Sequence, residues 1–158
     1  MSMKASDAMD PHPVTLKPTD TIECAANYIM DRRFRSLPVV DENNCYMGMF
    51  GVNCLLKQVI PKAVFLPHGL ENVDFIHESF EDLYQRFADV KDLPISICMN
   101  QEIQPIEPDA PLTKTLLQLY QTRASIPIVE PGSCKLLGVV SYWDVGERIL
   151  AAGKLKNA

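Results

Sequence analysis

The residues best suited to chemistry lie in Gly138-Val139-Val140-Ser141-Tyr142-Trp143-Asp144. An apolar run ending at Val140, followed by Ser141, predicts a strand that gives way to a helix. Backbone N–H groups at a helix start favour an anion such as phosphate. Ser141 can donate to a phosphate oxygen. Asp144, one turn in, can accept from both hydroxyls of a ribose, and each charge-assisted bond of that type contributes roughly 1.5–3 kcal/mol. Ser141-x-x-Asp144 is also the spacing of a capping box, which stabilises a helix and binds nothing. Spacing alone favours the cap.

The same outline occurs earlier as Gly48-Met49-Phe50-Gly51-Val52-Asn53-Cys54. There Gly51 stands in the hydroxyl position and Cys54 in the carboxylate position. A thiol cannot replace a bidentate carboxylate acceptor. Asn53 sits one position early, about 100° around a helix. One competent ribose site is therefore expected, in the later stretch.

The duplication extends through most of the chain. Pro13-Val14-Thr15-Leu16-Lys17-Pro18 answers Ile103-Gln104-Pro105-Ile106-Glu107-Pro108, and Leu37-Pro38-Val39-Val40 answers Ile126-Pro127-Ile128-Val129. Each copy reads as strand, helix, strand, turn, strand, helix. Val14 to Leu16 is a short strand ended by Pro18. Asp20 is placed to cap the next helix, with Glu23 closing a box. Ile22, Ala26, Ile29 and Met30 form its apolar stripe, matched by Leu112, Leu116, Leu119 and Tyr120. Asp41-Glu42-Asn43-Asn44 and Glu130-Pro131-Gly132-Ser133 form the turns. The expected boundaries are residues 1–60 for the first copy and 98–158 for the second. Residues 61–97 form a connector with a helix that starts near Ser79 and carries Leu83, Phe87 and Val90 on one face. Alternating short strands and helices give a mixed α/β (α+β) fold class.

Bulk properties narrow the function. The chain has 158 residues and a formal net charge of −5, so it lacks an overall basic footprint for nucleic acid. No apolar run is long enough for membrane insertion. The N-terminus lacks an apolar signal core, which points to a cytoplasmic protein. Cys24, Cys45, Cys54, Cys98 and Cys134 are odd in number and include no CxxC, so they read as reduced thiols used as small hydrophobes in a cytoplasmic protein. No histidine stands at ligand spacing from them, and no metal site is expected. No nucleophile elbow, phosphate loop or zinc-protease motif is visible, so no catalytic residue is assigned and an enzyme is not expected.

The two sets of motifs resemble the CBS (cystathionine-β-synthase-type) domain. They comprise Met9 or Met99 before the first strand, the Pro-Val-Val or Pro-Ile-Val strand, and the Gly-initiated segments at Gly48 and Gly138. The resemblance covers nearly everything except the connector and the last few residues. It implies tandem repeats, each β-α-β-β-α, packed through their sheets with pseudo-two-fold symmetry. It also implies a regulatory module whose cleft binds an adenosyl ligand, AMP, ADP, ATP or S-adenosylmethionine, with no required cofactor. The module is expected to form a homodimer. With no effector domain between the repeats and Ala158, the regulated partner is expected to be a separate protein, unless the chain is a fragment.

The resemblance further implies a composite pocket. Asp144 and Ser141 come from the second repeat. His12, Pro13, Phe34 and Arg35 of the first lie near the base end, with Val139 beside them. Phe34 either stacks on a base or packs in the core, and its register with Met30 favours the core. His12 also reads as an ordinary loop histidine. Arg32, Arg33, Arg35 and Arg123 are the phosphate candidates, and Arg123 equally suits a helix C-terminus. Ser125 stands where relatives carry a basic residue, which favours AMP or an adenosyl compound over ATP. The competing reading is a structural, dimerising module with a vestigial pocket.

Overall fold

Prolines restrict how much of each repeat's first segment becomes strand. In the computed structural model, which describes residues 2–69, 71, 73 and 76–156, the expected strand at Val14–Leu16 contracts to one parallel bridge between Leu16 and Val39. The Leu16 amide donates to the Pro38 carbonyl and the Leu16 carbonyl accepts from Val40, both at 2.9 Å. Pro13 and Pro18 lack the N–H groups that would extend the ladder. Ile106 repeats the arrangement against Ile128, between Pro105 and Pro108.

Helix α1 spans Ala5–Ala8 and α2 spans Ile22–Arg32. Thr21, not Asp20, caps α2, accepting from the Cys24 amide at 3.1 Å. Asp20 is committed to the preceding turn, where its carboxylate accepts from the Lys17 amide. Strands β1 (Ser36–Val40) and β2 (Tyr46–Gly51) pair antiparallel, and β2 runs directly into α3 (Val52–Val59). The second repeat follows with α5 (Leu112–Thr122), β3 (Ile126–Val129), β4 (Leu136–Val140) and α6 (Tyr142–Lys156). The hairpin turns use left-handed residues, Asn44 at φ 61° and Gly132 at φ 75°, which asparagine and glycine adopt most readily.

Each repeat lends its leading segment to the other's sheet. Asp10 bridges Val139 through bonds of 2.8 and 3.1 Å, and Asn100 bridges Met49 through bonds of 2.7 and 2.9 Å. This reciprocal exchange gives the pair its pseudo-two-fold relation. It also explains the two glycines in the middle of strands. A Cβ on Gly48 would lie 2.9 Å from the Asn100 carbonyl oxygen, and one on Gly138 would collide with the Asp10 carbonyl oxygen.

The exchange is visible in the cores. Ile95 and Met99 pack with Ile22, Ile29, Val39 and Phe50 of the first repeat. Ala5 and Ala8 pack with Leu119, Ile126, Ile128 and Val140 of the second. Val40, Val129 and Leu136 form a smaller cluster at the seam. Two expected core residues lie outside: Met30 is 54% and Tyr120 77% exposed. They occupy equivalent last-turn positions, each next to a buried residue, Ile29 or Leu119, and about 100° around the helix from it.

In the connector, α4 spans Phe80–Val90 behind a Ser79 cap. Phe87 and Val90 pack on the first core, and Arg86 Nε donates to the Val59 carbonyl at the end of α3. The segment braces the first repeat.

The expectation of five reduced thiols fails at two positions. Cys45 and Cys134 form a disulfide, with Cα atoms 4.7 Å apart, while Cys24, Cys54 and Cys98 stay free. Cysteine usage therefore no longer argues for a reducing compartment. Among the described residues, no helix is long and apolar enough to cross a membrane.

Candidate functional site

Ser141 and Asp144 form a closed capping box. The Ser141 amide and hydroxyl both donate to Asp144 Oδ2, at 2.9 and 2.8 Å, and the Asp144 amide donates to Ser141 Oγ at 3.2 Å. The connector has the same box. Ser79 donates twice to Asp82 Oδ2, each at 2.9 Å, and receives the Asp82 amide at 3.2 Å. There the Ser79 amide, followed by its hydroxyl, holds the Asp82 carboxyl below the usual carboxylate range. The Ser141–Asp144 geometry is thus that of a cap, with Oδ1 left without a hydrogen bond among the described residues. Asp144→Ala is expected to lower stability by about 1 kcal/mol, read as a shift in the urea midpoint at unchanged slope.

Helix α3 has no such box. Gly51 at its N-cap offers no side chain, and the Val52 amide donates to the Arg35 carbonyl at 3.0 Å. Cys54, at the carboxylate position, is buried and turns back to the Met49 carbonyl, 3.9 Å from Sγ. The open end of α3 borders a cavity of about 290 Å³, open to solvent on one side. Its walls come from both repeats: Arg35, Gly51 and Asn53 from the first, Asn100, Glu102 and Arg123 from the second. Ser36 also lines it, and its buried hydroxyl has no partner among the described residues. Two arginines and a helix N-terminus with no side-chain cap line this hollow and give it an anion-favouring character, with Glu102 as a nearby acceptor.

The sequence-derived candidates therefore divide between two places. Val139 is bridged by Asp10, whose side chain accepts from the His12 amide at 2.9 Å. His12 and Pro13 thus follow the segment that crosses onto β4, the strand leading to Ser141 and Asp144. Arg35 and Arg123 line the other hollow, beside Cys54. Phe34 is in neither: it stacks on Tyr28 with ring centroids 6.3 Å apart and packs against the first core. Arg32 lies over the Tyr28 ring at 3.9 Å. Arg33 and Arg123 are equivalent left-handed C-caps, at φ 58° and 55°.

Asn100 and Glu102 were not singled out from sequence. A signal existed: they follow Met99 as Asp10 and His12 follow Met9. The exchange that brings His12 towards β4 brings Glu102 towards β2. Among the described residues, no group of three histidine, cysteine or acidic side chains could hold a metal ion.

Residues 5–60 and 90–151 match the CBS domain family. No curated protein matches the sequence. Similar solved structures include a putative acetoin utilization protein, AcuB, from Vibrio cholerae, at 18% identity and a TM-score of 0.73, covering 99% of this chain and 97% of that one. The structure of CBSX2 in complex with AMP is similar at 18% identity and TM-score 0.69, covering 96% of this chain and 98% of that one. CBSX2 is from Arabidopsis thaliana. The CBS domain pair of protein MJ0100, in complex with 5′-methylthioadenosine and S-adenosyl-L-methionine, is similar at 17% identity and TM-score 0.64, covering 98% of this chain and 99% of that one.

Proposed function

The chain belongs to the CBS-domain family, and from that premise we propose that it is a regulatory module that senses an adenosyl nucleotide at the seam between its repeats. The observation that carries this reading is the cavity lined by Arg35, Arg123 and the first residues of α3, whose N-cap Gly51 offers no side chain. That combination suits the phosphate of an AMP-like ligand, and Glu102 is placed to accept from sugar hydroxyls. The size of the hollow, at the lower end for small-molecule sites, favours a monophosphate over ATP. Similar structures that hold AMP or S-adenosyl-L-methionine support the ligand class. On the β4 side, Asp144 Oδ1 would offer the corresponding acceptor, with Ser141, Val139, His12 and Pro13 near it. Binding would shift the relative packing of the repeats by as much as the ligand's affinity differs between the two arrangements. An effector would read that shift.

Isothermal titration with AMP, ADP, ATP and S-adenosylmethionine tests the reading. AMP is expected to bind, and Arg123→Ala to weaken it about tenfold or more, the loss of one charge-assisted contact. Silence from all four compounds would overturn it.

The second reading, a dimerising module with a vestigial pocket, is favoured by the closed Ser141–Asp144 box. Exposed Trp143, Ile149, Leu150 and Leu155 on α6 would then serve association between two copies. This reading predicts a dimer on a sizing column that responds neither to nucleotide nor to Asp144→Ala.

A further inference from the structure

We propose that the Cys45–Cys134 disulfide is a thiol–disulfide exchange site that fastens the seam between the repeats and, resting on the nucleotide reading above, sets how firmly the adjoining cavity holds its ligand. The two cysteines are 89 positions apart; Cys45 directly precedes the second strand of its hairpin, and Cys134 lies one residue further back from the start of β4. Around them the turns meet through the small Val40, Val129 and Leu136 cluster, a bridge between Cys45 and Lys135, and three hydrogen bonds. The Tyr46 amide donates to the Cys134 carbonyl at 2.8 Å, the Leu136 amide to Asn44 at 3.0 Å, and Asn44 Nδ2 to Leu136 at 2.9 Å. The cores of the two repeats lie behind these turns and do not include either cysteine. Opening the bond would loosen the seam and leave both cores in place.

Two features suit exchange. Cys134 is exposed at its turn, so a thiolate can reach its sulfur. The bond also connects to the cavity. Tyr46, next to Cys45, donates its hydroxyl to the Ile103 carbonyl at 3.0 Å, and Ile103 lines the hollow. Burial pushes that hydroxyl up to about 12, so it stays a donor throughout the physiological range.

The reaction needs a dithiol reductant. Its thiolate attacks Cys134 Sγ, the S–S bond breaks, and Cys45 leaves as a thiolate that takes up a proton. The second thiol of the reductant resolves the mixed disulfide and releases Cys134. Two electrons and two protons pass to the protein, and the reductant leaves as its own disulfide.

The test treats the folded chain with dithiothreitol, then traps thiols with iodoacetamide and maps the labels by mass spectrometry. Amide hydrogen exchange is followed in parallel. Reduction should add labels at Cys45 and Cys134, speed exchange at the Tyr46 and Leu136 amides at least tenfold, and leave Phe50 and Val140 protected. Reoxidation should restore the first pattern. The melting temperature should fall by about 10 °C, from release of a long closed loop. A Cys45→Ser, Cys134→Ser chain should match the reduced protein in all these readouts. Labelling of both cysteines before reductant, or unchanged exchange at Tyr46 and Leu136 after it, would overturn the clip. AMP affinity in the two redox states forms a separate arm: equal affinities would remove the link to the cavity, whereas absence of AMP binding in both states counts against the nucleotide reading alone.

Discussion

Phe50→Ala is expected to destabilise the protein by about 4 kcal/mol, the largest effect of any single truncation in the first repeat. Phe50 is fully buried and is the largest such side chain. It sits on β2 opposite Leu37 and packs with Ile22, Ile29, Val39 and Ile95 in the core that the connector and the incoming Met99 segment complete. Truncation removes apolar burial and leaves a hole that a strand pinned on both sides cannot collapse around; such changes cost roughly 3–5 kcal/mol. A domain of this size has only about 5–15 kcal/mol in total, so a large part of its margin would go. Phe80→Ala is the matched control, because Phe80 is 90% exposed and its loss should stay within about 0.5 kcal/mol. Urea denaturation of both variants decides the matter. Comparable losses in the two would contradict the assignment of Phe50 to the core.

Gly138→Ala should cost about 2–3 kcal/mol, although alanine is ordinarily the better strand and helix former. The reason is the close approach of another segment. The added Cβ would meet the Asp10 carbonyl oxygen, with Met9 Sδ at 2.9 Å and the Asp10 carbonyl carbon at 3.2 Å. Backbone cannot rotate away as a side-chain tip can, so the crossing segment must shift, as in other overpacked sites. That shift would stretch the Asp10–Val139 bonds and loosen the exchange between repeats. Gly146 offers the opposite case on α6. A Cβ there meets nothing within 4 Å, and alanine should raise stability by roughly 0.5–1 kcal/mol, the usual helical gain over glycine. A calorimetric comparison of the two variants should therefore show melting temperatures moving in opposite directions. A neutral Gly138→Ala would mean that Asp10 does not cross β4 in solution.

These two sites show what was legible before any coordinates. The Pro-Val-Val and Pro-Ile-Val runs, the turn residues and the offset between copies located both hairpins, and Ile22, Ile29 and Leu119 were read correctly as core. The same reasoning over-extended the stripe to Met30 and Tyr120, which follow the buried Ile29 and Leu119 but turn about 100° away from them, towards solvent. It also placed the α2 cap one residue early, because Asp20 and Thr21 are both good caps and only the turn at Lys17 shows which is already engaged.

By itself, then, the sequence determined the duplication, the element types, the two apolar cores and the capping-box spacing at Ser141. The duplication shows as the same order of motifs met twice, and the elements, apolar stripes and cap are written in residues within a turn or two of one another, where periodicity and propensity act. Only the tertiary structure decided that Cys45 meets Cys134, that Arg35 and Arg123 share a hollow with Glu102 rather than with Asp144, and that Gly48 and Gly138 mark backbone crossings. Those outcomes depend on how one repeat lends its leading segment to the other. That docking joins residues some ninety positions apart, and no local pattern encodes which side of the seam each will face.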